Sequence, residues 1–475
     1  MIKEIPIRFF NTETRKKEIF KTLVPNEVKI YTCGPTVYDF AHIGNFRTYV
    51  FEDILRRTLK YFGYTVQQVM NITDIDDKTI RGSMASNQTI FEHTQPYKNA
   101  FFIDLKTLGI EQAEYYPQAT DYIPQMIDFI KKLLDRGVAY RSSDKSIYFS
   151  ISKMPNYGRL SHLKLSELKV GAGDARVAFD EYEKDHAADF VLWKFYDEEK
   201  DGQVYWESPF GRGRPGWHLE CSTMATEILG ETLDIHVGAV DNIFPHHENE
   251  IAQSEAMSGK TFVHTWLHSE HLLVNHKKMS KSLGNFYTLR DLQKQGYHGS
   301  EIRYMLMQTH YRTQMNFTFD GLNGARTSLH RLIDFMHRMQ EHAGEGETTS
   351  DCRQNLRKAE HHFNQALADD LNISLALASL FDLTREINIA YDRGVLTPAD
   401  ANAVVELFKM FNLVLNIFDF KTDEGPSTEL IILMKKRKQA RKEKNFKEAD
   451  RLRDEIYANG YEIEDTPNGS RLKKM

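Results

Sequence analysis

The chain has 475 residues, 27% of them charged and 41% hydrophobic, which is ordinary for a globular protein of roughly two to four folding units. No apolar run is long enough to span a bilayer, and the N-terminus lacks the pattern of a signal peptide. The formal net charge of −6 excludes a chain coated with basic residues, and three cysteines are too few for a disulfide framework. We therefore expect a cytoplasmic protein in which any contact with nucleic acid is made by a local basic surface.

An early strand-helix-strand pattern predicts a parallel sheet. The segment 28–33 is predicted to be a buried strand, and apolar residues recur at helical spacing over 50–62. A second strand follows at 65–70, so these elements form a βαβ unit. Because ligands of parallel sheets bind beyond the carboxyl ends of the strands, Cys33 and Thr73 are expected to face one crevice.

Composition divides the rest of the chain into regions. Loops such as the charged stretch 198–202 indicate an insertion into the sheet domain, and 210–215 is predicted to be a flexible basic return to the core. Beyond Asn316 the pattern is almost wholly helical, and 421–428 has the composition of a linker. The predicted regions are the first half of the sheet domain (1–120), a connective insertion (121–213), the second half (214–270), a signature-loop region (271–315), a helical bundle (316–420) and a C-terminal unit (421–475).

The first candidate for chemistry is His42-Ile43-Gly44-Asn45, which lies between the first strand and its helix. An imidazole and an amide at a helix N-terminus can donate hydrogen bonds to phosphate, and the helix dipole favours the same negative charge. Taken alone, the same four residues also fit a plain polar helix cap.

The second candidate is the segment 278–285, KMSKSLGN, in which Lys278 and Lys281 are interleaved with serines. A mobile loop of this kind can fold over a triphosphate and neutralise the charge that grows as pyrophosphate leaves. A solvated basic loop is the alternative explanation, because short motifs also match by accident.

The third candidate is a set of metal ligands. Cys33 follows the first strand, Cys221 lies in the segment WHLEC, and PHHENE places His246 and Glu250 at positions i and i+4 if a helix begins there. Two thiolates, an imidazole and a carboxylate can complete a tetrahedral zinc site. The four residues are far apart in sequence, so two buried free cysteines and a polar helix start explain them as well.

Together, the segments 42–45 and 278–282 resemble the HIGH and KMSKS signatures of class I aminoacyl-tRNA synthetases. The surrounding sequence resembles the cysteinyl-tRNA synthetase family from about Pro25 to Asp465, nearly the whole chain. The segments that carry this resemblance are YTCGPTVYD (31–39), NITDIDDK (71–78), RPGWHLECS (214–222) and FPHHENE (244–250).

The resemblance implies an α/β fold, in which a Rossmann-like nucleotide-binding parallel sheet with an inserted connective domain is followed by an α-helical bundle and a small C-terminal anticodon-binding unit. It implies a monomeric ligase, without contact to membranes, that activates L-cysteine with ATP and Mg²⁺. The ligase would then transfer cysteine to the 3′-terminal adenosine of tRNA(Cys). One zinc ion would be held by Cys33, Cys221, His246 and Glu250 and would recognise the substrate thiol. His247 is expected to point away from the ion, either in contact with one of its ligands or at the surface.

By the same resemblance, Thr73 and Trp217 line the cysteine pocket. Catalytic roles fall to His42, Asn45, Lys278 and Lys281, and ATP contacts to His42, Gly44, Asn45, His236, Asp241 and Lys281. Contacts with tRNA fall to Lys435, Lys436, Arg437, Lys438 and Arg441. Leu472 stands where the family usually has tryptophan, which weakens any expectation of anticodon stacking by the C-terminal tail.

Two other functions stay open from the sequence. A ligase that passes activated cysteine to a small amine would share the activation step, although the C-terminal unit, with thirteen Lys and Arg against eight Asp and Glu over 435–475, argues against it. A zinc-stabilised tRNA-binding protein with a decayed catalytic site is the second, although His42 and Lys281 are intact. Likewise, Trp217 could be a core aromatic, and the basic cluster a solvated helix face.

Overall fold

The computed structural model describes residues 5–163, 189–280, 283–420, 428–466 and 469–474, and the chain divides into two compact units, Met1–Phe418 and Asp419–Met475. The strands are β1 Arg8–Asn11, β2 Lys16–Ile19, β3 Glu27–Thr32, β4 Thr65–Met70, β5 Ala139–Arg141, β6 Ile147–Phe149, β7 Phe190–Phe195, β8 Gly213–Pro215, β9 Leu233–Ala239, β10 Val263–Ser269, β11 Leu272–Val274, β12 Lys277–Lys278, β13 Met315–Phe317, β14 Tyr461–Thr466 and β15 Gly469–Lys474. The helices are α1 Ile43–Tyr61, α2 Asp77–Ser86, α3 Ile90–Thr107, α4 Ile123–Asp135, α5 Glu198–Asp201, α6 Trp217–Leu229, α7 Glu248–Ser258, α8 Leu289–Lys294, α9 Gly299–Met307, α10 Phe319–His342, α11 Ser350–Ala368, α12 Ile373–Asp392, α13 Pro398–Leu415, α14 Thr428–Lys442 and α15 Phe446–Ala458.

Four parallel strands form the central sheet of the first unit, in the order β10-β9-β3-β4. Val28 and Ile30 of β3 are almost fully buried, as expected for a strand covered on both faces. Helix α1 connects β3 to β4, which confirms the βαβ unit and the Rossmann-like sheet predicted from the sequence. Beyond the carboxyl ends of these two strands, Thr36 and Thr73 pair in a parallel bridge, so the two loops lie side by side.

A second, antiparallel sheet of strands β5 to β8 lies in the sequence between β4 and β9. The predicted flexible return at 210–215 is wrong, because its end forms β8 and Arg214 is buried against Asp77 and Asp201. Residues 198–201 form a short helix, α5, where a loop was expected. Two buried or partly buried carboxylates thus fix a guanidinium in a segment that the sequence pattern predicted to be flexible.

Helices α10 to α13 confirm the predicted helical region. Their faces meet through aromatic side chains, among them Phe363 and Phe411, whose rings stack at 4.1 Å. The fully buried Arg303 of α9 donates to Asp53 of α1 (2.5 Å) and to the carbonyl of Leu415 at the end of α13 (2.7 Å). Because both acceptors are buried with it, this guanidinium ties the helical region to the sheet domain.

The second unit consists of α14 and α15 with the antiparallel hairpin β14–β15. Ala449, Leu452 and Ile456 are buried at helical spacing on one face of α15. Leu472 pairs in register with Ile463 across the hairpin. The predicted linker at 421–428 falls almost entirely outside the described residues. Over the part of the chain that the structure describes, no helix is both long and apolar enough to cross a bilayer.

Candidate active site

The N-terminus of α1 holds the first predicted motif. His42 is the N-cap: its Nδ1 accepts a hydrogen bond from the backbone N–H of Asn45 (3.2 Å), and the Asn45 Oδ1 accepts one from the backbone N–H of His42 (3.1 Å). Because Nδ1 accepts, the proton of the neutral ring sits on Nε2. Burial lowers the pKa of His42 to about 4, although the charge of Asp241 opposes the shift. The ring is therefore a neutral Nε2–H donor beside a helix N-terminus, which suits phosphate.

The second predicted motif packs against the first at Gly44. A Cβ placed on Gly44 would lie 3.0 Å from His42 Cε1 and 3.1 Å from Met279 Cε. The backbone N–H of Ile43 donates to the carbonyl of Tyr287 (3.0 Å), just beyond the lysine-bearing loop. The fold thus brings together two motifs that lie on opposite sides of the insertion in sequence.

The loop that carries the lysines is closed at its base by Asn285. The Asn285 Oδ1 accepts from the backbone N–H of Ser280 (2.8 Å), and its Nδ2 donates to the carbonyl of Lys278 (3.2 Å). Lys278 is exposed and ends β12. Lys281 and Ser282 lie outside the described residues. The roles of both lysines in phosphate binding stay predictions.

Buried metal-ligating side chains gather beside the carboxyl end of β3. The ligand atoms of Cys33, His246, His247 and Glu250 all lie within 4.8 Å of one another. Cys221, on α6, joins the group through a hydrogen bond between its thiol and that of Cys33. The structure therefore brings together all four residues predicted to bind zinc, and adds His247.

The donor set fits a metal ion. Among the described residues, Glu250 Oε1 has no hydrogen-bond partner, although His246 Nε2 lies 3.0 Å from it. Ligand atoms of one tetrahedral zinc ion are about 3.3–3.8 Å apart, close to the spacing seen here. A hydrogen bond with Cys221 and burial raise the pKa of Cys33 well above that of an ordinary thiol, and burial lowers the pKa of His246. Without a cation, these shifts favour a neutral thiol and a neutral imidazole. A bound cation would instead favour the thiolate form of Cys33.

Of the two positions expected for His247, the structure excludes the surface and places the ring against a predicted ligand. The side chain is fully buried, and its Nε2 lies 3.2 Å from Cys33 Sγ. Its Nδ1 lies 2.8 Å from Nε2 of His268, whose Nδ1 is 2.7 Å from the Thr12 hydroxyl. The sequence did show two adjacent histidines in PHHENE. In a regular α-helix, however, two adjacent side chains point about 100° apart, so only one of them was expected to face the cluster. The turn before α7 departs from regular α-helix, and this lets both rings face inward.

Two predicted ATP contacts lie on or just beyond β9. Asp241 is exposed and close enough to His42 for its charge to raise the pKa of that ring. His236 is fully buried, with its Nε2 3.0 Å from Glu250 Oε2 and its ring stacked on Trp266 at 4.7 Å. The structure places His236 against the metal cluster, and its contact with ATP stays a prediction.

The two predicted cysteine-pocket residues lie around the cluster. Trp217 begins α6, is 42% exposed, and stacks on the ring of His246 with centroids 4.2 Å apart. It is therefore not a core aromatic. Thr73 is buried; its hydroxyl accepts from the Asn71 side chain (3.1 Å) and interacts with the carboxyl of Glu220. The roles of Trp217 and Thr73 in binding cysteine stay predictions.

The basic residues predicted to contact tRNA lie along α14 in the second unit. Lys435, Lys436, Lys438 and Arg441 are exposed and Arg437 is partly exposed, so cations cover this helix on most sides. Such a face can meet phosphates, and it can equally be solvated. Their contact with tRNA stays a prediction.

Comparisons with known proteins agree with this geometry. The family model described as "tRNA synthetases class I (C) catalytic domain" matches residues 19–327, and the "DALR domain" model matches 362–419. The second match covers the C-terminal end of α11, then α12 and α13, and ends before the basic helix α14. The catalytic match alone spans more than half of the chain.

Relatives and solved structures extend the agreement. Cysteine–tRNA ligase of Protochlamydia amoebophila is 58% identical over 100% of this chain and 99% of its own length, and that of Chlamydia pneumoniae is 55% identical over 98% of each. A methionyl-tRNA synthetase of Mycobacterium tuberculosis, solved with methionyl-adenylate, has a TM-score of 0.59 at 14% identity, covering 82% of this chain and 90% of that one. This chain belongs to the cysteine–tRNA ligase family of class I aminoacyl-tRNA synthetases.

Proposed function

We propose that the chain activates L-cysteine with ATP, releasing pyrophosphate, and transfers the cysteinyl group to the 3′-terminal adenosine of tRNA(Cys), with one zinc ion recognising the thiol. The observation that carries this proposal is the buried cluster of Cys33, Cys221, His246 and Glu250 under the exposed ring of Trp217. Cys33 and His42 both lie in the segment that joins β3 to α1, which supports one continuous site for an amino acid and a triphosphate.

The metal cluster accounts for selectivity. A zinc ion held by Cys33, Cys221, His246 and Glu250 would supply a soft Lewis acid that favours a thiol far more than the hydroxyl of serine. A site built for sulfur leaves the oxygen analogue poorly bound, so discrimination needs no separate editing step. Trp217 stacks on His246 beside the cluster, and its large apolar face suits the short cysteine side chain.

The phosphates are held by neutral and positive donors. His42 Nε2–H donates to the triphosphate at the positive end of the α1 dipole, and the Asn45 side-chain amide extends the same set. Lys278 and Lys281 neutralise the charge that develops on pyrophosphate, and Mg²⁺ accompanies ATP. A neutral His42 serves this purpose at every pH above about 5, because its pKa lies at about 4.

The reaction needs no nucleophilic side chain. A carboxylate oxygen of cysteine forms a bond to the α-phosphorus while the bond from that phosphorus to the β-phosphate oxygen breaks, and pyrophosphate leaves. The protein contributes orientation and charge stabilisation. The chain acts as a single copy in this proposal, as the family resemblance implies. Light scattering of the purified protein, with and without tRNA, tests that stoichiometry.

The test is amino-acid-dependent ATP–pyrophosphate exchange with cysteine or serine, before and after zinc chelation and after zinc is restored. Exchange with cysteine alone, lost on chelation and regained with zinc, supports activation at the metal site. Cysteine-dependent exchange that is unaffected by complete removal of zinc contradicts the role of the metal.

The acceptor is tested separately. Transfer of radiolabelled cysteine to tRNA(Cys), compared with transfer to small amines, distinguishes a tRNA ligase from an amine ligase that shares the activation step. Neutralising the exposed cations of α14 should weaken tRNA binding and leave exchange unchanged, since exchange requires no tRNA.

A further inference from the structure

Glu248 lies between two candidate metal ligands but faces away from them. It is two residues from both His246 and Glu250 on the first turn of α7, so its side chain leaves the helix on the opposite side. It is almost fully buried. The residue is absent from the metal cluster and from every motif role assigned above, and its placement calls for another explanation.

The Glu248 carboxylate binds backbone amides of the insertion. Its Oε1 accepts from the N–H of Gly158 (2.8 Å), and its Oε2 accepts from the N–H groups of Leu160 (3.1 Å) and Ser161 (2.8 Å). A buried carboxylate that accepts three amide hydrogen bonds holds its partners strongly, because hydrogen bonds to a charged acceptor are stronger than those between neutral groups. These residues belong to a compact turn, 157–163, which we call the insertion turn.

Other contacts of α7 reinforce this attachment. The hydroxyl of Tyr157 donates to Asn249 Oδ1 (2.5 Å), and the guanidinium of Arg159 pairs with Glu255 (2.6 Å). Gly158 has φ of +95°, and a Cβ there would lie 2.0 Å from the carbonyl oxygen of Leu163. The insertion turn is therefore tightly wound and is fixed to α7 by the side chains of Glu248, Asn249 and Glu255.

We propose that Glu248 is a positioning residue that couples the metal site to the insertion, so that metal binding orders the insertion turn. This inference rests on the proposed function, in which His246 and Glu250 hold zinc. With the metal in place, the first turn of α7 is fixed from one face by its ligands and from the other by the insertion turn. Without it, buried groups such as Glu250 Oε1 lack partners, and the helix turn must rearrange to satisfy them. Because Glu248 lies on that helix turn, the three amides bound to its carboxylate shift when the turn shifts.

Hydrogen exchange of the full-length chain tests this coupling, because Glu248 binds backbone N–H groups directly. The chain is compared in its zinc-loaded and chelated forms, with the metal content of each measured. The amides of Gly158, Leu160 and Ser161 are expected to exchange at least tenfold faster after zinc is removed. Peptides covering β4 serve as an internal control and should keep their protection, which shows that the fold persists.

Two variants separate the carboxylate from general packing. Glu248→Gln replaces one accepting oxygen by an N–H group that faces an amide, so the insertion turn should exchange rapidly even with zinc bound. The variant should also lose zinc to a chelator about tenfold faster, as expected when a contact that orients metal ligands is removed. Glu255→Gln is the matched control, since Glu255 holds the same turn only through Arg159, and the three amides should stay protected.

The possible outcomes distinguish a failure of this coupling from a failure of the proposed function on which it rests. If the chain binds no stoichiometric zinc, the metal assignment and this coupling both fail. If zinc binds and leaves on chelation while exchange of the insertion turn stays unchanged, the coupling alone is refuted. Protection of the three amides in zinc-loaded Glu248→Gln would also overturn it.

Discussion

Replacing Gly44 by alanine should slow cysteine activation without weakening the fold. Gly44 lies in the first turn of α1 at a negative φ, so alanine fits the backbone and favours the helix by up to about 1 kcal/mol. The added methyl, however, would lie 3.0 Å from His42 Cε1 and Nδ1 and 3.1 Å from Met279 Cε. Carbon contacts prefer about 3.5–4.0 Å, so His42 or the signature loop must shift by about 0.5 Å.

The size of the effect follows from that shift. A catalytic group misplaced by about 1 Å can cost about a hundredfold in rate, so a shift of half that distance should cost about tenfold. ATP–pyrophosphate exchange with saturating zinc measures kcat/KM for ATP, and urea unfolding measures stability. Gly44→Ala should lower kcat/KM for ATP about tenfold and leave the free energy of unfolding unchanged or slightly raised.

The matched control is Gly324→Ala on α10, where an added Cβ would meet no described atom within 4 Å. It should alter neither exchange nor metal content. Unchanged exchange in Gly44→Ala would refute the argument that the two motifs meet at this glycine. An equal loss in both variants would show that the effect is not local.

Three further predictions concern the metal, a buried acid and the pH. Cys221→Ser should retain zinc at least tenfold less well during dialysis, because a hydroxyl replaces a buried thiol of the cluster. Glu52→Met should raise the free energy of unfolding by about 1–3 kcal/mol, since neither oxygen of this buried carboxyl has a hydrogen-bond partner among the described residues. Burial lowers the pKa of His42 from 6.5 to about 4. Between pH 6.5 and 4 the unfolded chain therefore binds more protons than the folded one, so the free energy of unfolding should fall by about 3 kcal/mol as the pH drops from 6.5 to 4.

Each of the three has its own comparison. Cys352→Ser removes a buried thiol outside the cluster and should keep its zinc, so equal metal loss in both cysteine variants would contradict the assignment. Glu52→Gln keeps a polar group and should gain less stability than Glu52→Met; a loss in the methionine variant would refute the reasoning. His42→Asn preserves a helix cap and removes the titrating ring, so its urea stability between pH 6.5 and 4 should decline less than that of the wild type.

The parallel sheet and the helical region could be predicted from the sequence because they depend on local periodicity. The strand at 65–70 matches β4, and the first strand agrees with β3 within one residue. Apolar spacing determines which face of such an element is buried, whatever packs against it. The same reasoning failed at 210–215, where Arg214 is buried against Asp77 and Asp201. A charge pattern does not reveal whether distant carboxylates will compensate a buried guanidinium.

The sequence alone determined the family of this chain and the order of its motifs, since long matching segments identify chemistry without coordinates. Only the tertiary structure decided which side chains meet. It turned His247 toward Cys33, set His236 against Glu250 and attached Glu248 to the insertion turn. These contacts join residues that lie far apart in the chain, and their geometry depends on how whole elements pack. No local spacing encodes that packing, which is why these three roles required the fold.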